Sequence, residues 1–281
     1  MRPTRRKFRM LLICSLAAAA VLIFACSEKD PTEPEAEAPQ IPPVSTFLMD
    51  FSDFPAHSRG SAGPEPTPVK LLTRDNHNWA ALHVGVWNLI VTVGMAVPVA
   101  AFVESFAHRP IQQPDGSWIW SYDLTVDGDQ YSAALRGSID NAGTEWEMSV
   151  TKEGEYEDFQ WYTGEADLFL TEGSWILNKH PEDPIPLVGI VWHRSIVDST
   201  ADITYTNIEP SGAENGGYIS YGTIPDTTYD AFFDIYNKGQ DHLINVEWNL
   251  ATKDGRVKDA AHFQDEDWHC WDGQWQDIAC P

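Results

Sequence analysis

Two of the four cysteines are spaced so that they could bond to each other. Cys270 and Cys280 lie close together near the C-terminus, with His262 and His269 as the nearest further metal ligands. A metal site is therefore one alternative. In an oxidising compartment, however, a disulfide is the expected product, and the short loop it closes would add about 2–3 kcal/mol of stability. The spacing predicts a disulfide.

Acidic residues crowd the same end of the chain. Asp265, Glu266, Asp267 and Asp272 lie around His269, and several carboxylate oxygens are the ligands that calcium prefers. Their spacing does not match an EF-hand loop, and a chance cluster is the simpler interpretation in an acidic chain. We predict no metal site.

Three tryptophans, Trp268, Trp271 and Trp275, lie among these carboxylates. Exposed tryptophans stack on sugar rings, whereas buried ones fill the core. Core or edge packing is the favoured interpretation, and contact with a glycan is the alternative.

Catalytic motifs are absent from the sequence. It contains no Gly-x-Ser-x-Gly, no His-Glu-x-x-His and no glycine-rich phosphate loop. The carboxylates are too numerous for any pair to stand out as a glycosidase dyad. We therefore predict no catalytic residue, no cofactor and no enzymatic activity, with a hydrolase that lacks a recognisable motif as the alternative.

The N-terminus has the organisation of an export signal. Basic residues precede an apolar run of about 16 residues from Met10 to Ala25, which is short for a membrane-spanning helix of about 20. The run ends Ile23-Phe24-Ala25-Cys26, which resembles the lipobox of bacterial lipoproteins. The resemblance implies cleavage before Cys26 and lipidation of its sulfur, since two or three acyl chains anchor a protein stably. An uncleaved anchor or a plain secretory signal is the alternative.

The location that follows is the outer membrane. By analogy with lipoprotein sorting rules, Ser27 after the cysteine favours that membrane, on its periplasmic face or at the cell surface. Beyond the signal the chain carries 13 basic and 42 acidic residues, a net charge of −29, because five of its 18 basic residues lie in the signal. This charge argues against nucleic acid and anionic lipid as partners.

The remaining chain divides into a tether and one domain. Residues 26–46 are rich in proline and glutamate and predict a semi-extended tether. Residues 47–281 form the predicted domain, and within it residues 77–107 predict one long helix. Its apolar residues recur at helical spacing yet cover all faces, so it is buried on all sides or lies in lipid. Burial is the favoured interpretation, with a kink at Pro98. Asp75 or Asn76 could cap its start.

From residue 117 onward the chain alternates apolar and polar residues. Trp118, Trp120 and Tyr122 point one way and Ile119 and Ser121 the other, and turn signals such as Asp127-Gly128 recur every 8–14 residues. This pattern predicts a mainly β fold: a curved antiparallel meander of about 11 strands, as a half-barrel or barrel, wrapped around the helix. The architecture resembles the LolA/LolB and LprG-type half-barrel lipoproteins. No residue motif of those families is matched.

Three functions fit this outline. The apolar helix beside a wide sheet favours a non-enzymatic protein that binds or carries an apolar ligand such as lipid. The candidate contact residues are Trp79, Val86, Trp87, Ile90 and Val93 on the helix, with Trp268, Trp271 and Trp275. The alternatives are a structural envelope protein without a ligand, and a surface adhesin or glycan-binding module.

Overall fold

The computed structural model describes residues 37–54, 74–225 and 227–281. The predicted signal, Cys26 and most of the predicted tether therefore lie outside the described residues. The compact unit runs from Ala38 to Pro281, so residues 38–46 pack with the domain although they were expected to belong to the tether. Ile41 and Thr46 in this stretch are 8% and 1% exposed, and Val44–Thr46 forms a 3₁₀ helix.

One antiparallel sheet makes up most of the domain, and each strand pairs with its neighbours in sequence. The predicted mainly β meander is confirmed. It is an open sheet of 14 strands rather than about 11, since strands of two to four residues near its edges are too short to show an alternating pattern. The strands are β1 (Ile111–Gln112), β2 (Trp118–Val126), β3 (Asp129–Ile139), β4 (Thr144–Lys152), β5 (Tyr156–Ala166), β6 (Glu172–His180), β7 (Asp183–Ser195), β8 (Thr200–Asn207), β9 (Tyr218–Thr223), β10 (Ala231–Asn237), β11 (His242–Trp248), β12 (Gly255–Lys258), β13 (His269–Trp271) and β14 (Asp277–Ile278).

The alternation of the sequence becomes two unlike faces of the sheet. Along β4, for example, Trp146, Met148 and Val150 are buried, while Glu145 and Glu147 between them are exposed. The hairpins are short because their turn residues suit tight turns. At Asp127-Gly128 both residues have positive φ angles, 52° and 94°, the geometry of a two-residue turn that matches the twist of the strands.

Large indole rings lie over glycines on the buried face. Trp175 on β6 stands opposite Gly164 on β5, and Trp192 on β7 stands opposite Gly173 on β6. A Cβ atom at either glycine would overlap the facing indole ring, and both tryptophans are 1% exposed. Glycine is required at these positions because the rings occupy the space of a side chain.

The predicted long helix is broken into two arms. Helix α1 covers Asp75–Leu89, a π-helical segment covers Ile90–Gly94, and α2 covers Ala96–Ser105, with a bend of 73° between the arms. Pro98 lies in the first turn of α2, where no helical hydrogen bond needs its missing N–H. In a continuous helix its ring would clash with the carbonyl of Gly94, four residues earlier. The break therefore comes one turn before the proline.

The two arms pack near opposite edges of the sheet. α2 contacts β2 and β3, whereas α1 contacts β10, β12, β13 and β14. A short helix, α3 (Ala260–Phe263), follows β12. The start of α1 is not capped by Asp75 or Asn76 but by Asp277 of β14, whose carboxylate accepts the N–H groups of both residues at 3.1 Å.

Candidate ligand-binding cleft

The segment 47–54 lies on the buried face of the sheet and is held there by a tyrosine. The Tyr205 hydroxyl donates to the Phe47 carbonyl and accepts the Met49 N–H, both at 2.8 Å. Both requirements of a buried hydroxyl are thereby met, and burial raises the pKa of Tyr205 well above its usual value. The segment is therefore fixed at its backbone.

Aromatic side chains anchor the two ends of this segment. Phe47 stacks on Phe102 of α2 with ring centroids 4.4 Å apart, and it meets the edge of Trp175 at 5.5 Å. At the other end, Phe54 contacts Trp248 at 4.9 Å. Asp53 accepts the Trp248 indole N–H at 2.9 Å. The segment is thus wedged between helix and sheet.

An apolar cleft of about 600 Å³ opens between this segment and the bend of the helix. One wall is Leu48, Met49 and Phe51 from the segment. The other wall comes from the bend and the start of α2: Val91, Ala96, Val99 and Ala100. The bend brings residues from both sides of the break, such as Val91 and Ala96, onto the same wall.

Three polar residues complete the lining: Ser52, Asn88 and Thr92. Ser52 and Thr92 are exposed, so they mark the opening of the cleft to solvent. The Thr92 hydroxyl donates to the Asn88 carbonyl at 2.7 Å, which satisfies it within the helix. The cleft is therefore carbon-lined inside and polar at its mouth, the arrangement of a site for a mostly apolar ligand.

The predicted helix contacts lie beside this cleft and do not line it. Val86 and Val93 are 53% and 70% exposed on the outer face of the helix, and Trp87 is 9% exposed in the core. Ile90 is half-buried against the core. The lining residues are their neighbours at 88, 91 and 92, since each helical position turns by about 100° from the last.

Trp79, the remaining predicted helix contact, belongs to a polar cluster that fixes α1. Its indole N–H donates to Asp259 at 2.9 Å, and its ring stacks on His262 at 3.6 Å. Asp259 is 1% exposed and also accepts hydrogen bonds from His242 Nδ1, at 3.1 Å, and from the backbone at the start of α3. Burial raises the pKa of Asp259 and these hydrogen bonds lower it. The hydrogen bonds together outweigh burial, so the net shift is downward.

His83, one turn beyond Trp79, joins this cluster. Its ring lies 4.6 Å from Trp79 and 6.3 Å from His242, and its Nε2 atom is buried with no hydrogen-bond partner among the described residues. Burial lowers the pKa of His83; Asp259 opposes this shift, and His242 and His262 add to it. The surroundings of His83 therefore disfavour its charged form.

The three C-terminal tryptophans do not form an open platform. Trp271 is 1% exposed. The guanidinium of Arg256 lies 4.2 Å from the centre of the Trp268 ring, and His77 stacks on Trp275 at 4.8 Å. Trp271 is thus buried, and one face each of Trp268 and Trp275 is covered. These contacts count against the glycan alternative.

The C-terminal cysteines and carboxylates have structural partners. The sulfur atoms of Cys270 and Cys280 lie 2.08 Å apart, at bonding distance, as the spacing predicted. Asp265 binds His269 at 3.0 Å, and Asp272 accepts N–H groups of its own turn. Across residues 37–54, 74–225 and 227–281, no group of three or more His, Cys, Asp or Glu is arranged to hold a metal ion.

Comparison with known proteins yields no relative for this chain. No protein-family model matches it, no curated protein is similar in sequence and no solved structure is similar in fold. Within the described part, no single helix is long and apolar enough to cross a membrane. The bent pair Asp75–Gly94 and Ala96–Ser105 meets that requirement only when its two arms are taken together.

Sequence reasoning missed both the cleft and the cluster around Asp259. For the cleft a signal existed: Asn88 and Thr92 interrupt an apolar helix at a spacing of four, which puts them on one face. For the cluster no such signal existed, because Trp79 is far from His242 and Asp259 in sequence.

Proposed function

We propose that the protein is a membrane-anchored lipoprotein, lipidated at Cys26, that holds an apolar ligand such as a lipid acyl chain at the helix bend. The observation that carries the proposal is the cleft of about 600 Å³. Small-molecule sites have volumes of roughly 300–1,000 Å³ and mostly apolar walls.

The positions of the two arms favour a curved sheet, as in the half-barrel lipoproteins. Adjacent strands are ~4.8 Å apart, so β3 and β12 would lie roughly 43 Å apart in a flat sheet. A straight helix over residues 75–105 would measure about 46 Å, and the 73° bend shortens that span. If the sheet curves around the helix, each arm can pack along its whole length on the strands it contacts. The bend then lies over the middle of the sheet.

The lining suits apolar ligands of more than one shape. Met49 and Leu48 adapt to different shapes, and methionine in particular fills irregular gaps. Thr92 and Val93 are exposed beside Val91 of the cleft wall. Beyond the polar rim formed by Ser52 and Thr92, Val93 continues apolar surface onto the outside of the helix.

Binding can be tested by filling the cleft. Ala100→Phe places a ring in the cleft, whereas Val103→Phe adds bulk to the exposed side of the same helix, where Val103 is 43% exposed. We expect the purified protein to bind the neutral probe N-phenylnaphthylamine saturably, Val103→Phe to keep this binding and Ala100→Phe to abolish it. Mass spectrometry of extracted lipids then identifies the natural ligand.

Two results would contradict the proposal. One is wild-type protein that neither binds the probe nor carries stoichiometric lipid. The other is probe binding that survives Ala100→Phe in a protein whose thermal unfolding shows that it still folds.

A further inference from the structure

The two ends of the sheet carry different turn residues. In a meander, successive hairpins alternate between the ends, so the hairpins β3–β4, β5–β6 and β7–β8 share one end. This end, here called the apolar tip, carries large apolar side chains exposed by 46% to 93%: Ile139, Leu168, Phe169, Ile196 and Val197. The turns at the other end are polar, for example Asp127-Gly128, Glu153-Gly154 and Pro181-Glu182.

These apolar side chains are held outward by hydrogen-bonded turns. In the β5–β6 turn, Asp167 accepts the N–H groups of Phe169, Thr171 and Glu172 at 2.6–3.2 Å. Burial raises the pKa of Asp167, but the hydrogen bonds outweigh it and lower the pKa overall. In the β7–β8 turn the Ser195 hydroxyl donates to Asp198 at 2.8 Å. Because tight turns ordinarily carry Gly, Asn, Asp or Ser at their tips, Phe169 at 81% and Val197 at 93% exposure require an explanation.

The tips are neighbours in space. The Arg194 N–H at the end of β7 donates to the Thr171 carbonyl of the β5–β6 turn at 2.7 Å. Hairpins two strands apart are separated by roughly 10 Å, so Phe169 and Val197 present one patch. Apolar side chains on separate turns can each enter the interfacial region of a lipid bilayer. They form a poorer match to the flat surface of a protein partner.

The chain enters the domain at this same end. Pro39 packs over Gly137 of β3, two residues before Ile139 at the apolar tip. The residues between Cys26 and Ala38 can span at most ~40 Å. A lipid on Cys26 would therefore tether the domain from the end of the sheet that carries the apolar tip, within ~40 Å of the membrane surface.

We propose that the domain docks on the surface of a zwitterionic lipid bilayer through the apolar tip, with Phe169, Ile196 and Val197 entering the interfacial region. The carboxylates of Asp167 and Asp198 flank these side chains, and they complement the ammonium groups that zwitterionic headgroups present outermost. With a net charge of −29 beyond residue 25, an anionic surface would repel the domain. The inference goes beyond the apolar cleft and rests on the proposed anchor only for the position of the membrane.

A fluorescent probe at each end of the sheet tests this docking. Val197→Cys and Glu182→Cys each receive the environment-sensitive dye NBD in the lipidated protein, reconstituted in phosphatidylcholine vesicles. With Cys26 lipidated and Cys270 paired to Cys280, no other thiol of the mature chain reacts. Both positions are on exposed turns, and the Glu182 side chain is 78% exposed.

We expect the Val197 probe to shift its emission to the blue and to lose most of it when the lipids carry a nitroxide on the acyl chain. The Glu182 probe should do neither. Phe169→Ser should move the Val197 probe back toward its emission in water, because fewer apolar side chains then hold the tip in the interface. Thermal unfolding of each variant confirms that it is folded.

Two outcomes would overturn the inference. One is a Val197 probe that reports water on vesicles. The other is a blue shift that grows with protein density and is insensitive to nitroxide lipid, which would show contact with a second copy. If intact mass shows no lipid on Cys26, each variant is remade with Cys26→Ser so that only the introduced cysteine is labelled, and both probes are read after the protein is added to preformed vesicles. Failure of the anchor, of the cleft and of the apolar tip can thus be told apart.

Discussion

The two arms of the bent helix are held to the sheet by different chemistry. On α1, the Trp79 indole donates to buried Asp259 and the Asn76 side chain donates to the Cys270 carbonyl, both at 2.9 Å. On α2, Phe102 is 0% exposed and stacks on Phe47. Hydrogen bonds to a carboxylate depend on direction and protonation, whereas apolar packing depends on shape. The arm α1 is thus held partly through a buried carboxylate, whereas α2 is held mainly by apolar packing, with one hydrogen bond from the Tyr122 hydroxyl to the Ala101 carbonyl.

The largest expected effect comes from the apolar arm. Phe102→Ala removes a buried ring shared by α2, Phe47 and Trp175, and we expect it to lower the free energy of unfolding by about 3–5 kcal/mol. Val103→Ala on the exposed side should change it by less than ~0.5 kcal/mol. Urea unfolding followed by tryptophan fluorescence measures both. Equal effects of the two variants would mean that α2 is not docked as described.

A smaller effect is expected from the polar arm. Asp259→Ala leaves the Trp79 indole N–H and the first N–H groups of α3 without their acceptor, which costs about 1–3 kcal/mol. Hydrogen exchange should speed up in α1 and α3 while α2 keeps its protection. The exposed Asp265→Ala serves as the control. Uniform loss of protection in both arms would show that they are not held independently.

The most subtle test is the response to acid. Because the folded state lowers the pKa of His83, the unfolded chain takes up a proton more readily, and stability falls as the pH drops below the usual value near 6.5. The lowered pKa of Asp259 acts in the same direction at lower pH, below about 3.8. Urea unfolding between pH 7.5 and 5 should therefore show a slope that His83→Gln reduces.

Leu82→Gln, on the exposed face of the same helix, is the control for that slope. It alters helix polarity without altering a titrating group, so the slope should persist. If His83→Gln leaves the dependence on pH intact, the acid sensitivity lies elsewhere in this acidic chain.

Short sequence patterns predicted the strands, the tight turns and the helix break, because each of these depends on residues that are close in sequence. Alternation such as Trp146, Met148 and Val150 revealed the strands, and Asp127-Gly128 revealed a hairpin. The break near Pro98 follows from a ring that no continuous helix accommodates. The spacing of Cys270 and Cys280 predicted their pairing.

The helix surface could not be assigned in this way. Leu82, Val86 and Val93 have the same apolar character as buried Val84 and Val91, yet they are exposed. Hydrophobic periodicity identifies a face only when the other face is polar, and this helix is apolar all round. Which residues line the cleft was therefore decided by the bend and by segment 47–54.

The sequence by itself determined a mainly β meander with an apolar helix and a C-terminal pair of cysteines, because period-two patterns, turns and proline act over a few residues. Only the tertiary structure decided the cleft, the cluster around Asp259 and the common end of the apolar hairpin tips. These depend on contacts between residues as far apart as Trp79 and Asp259, and the sheet brings such residues together through the order of its strands rather than through any local pattern.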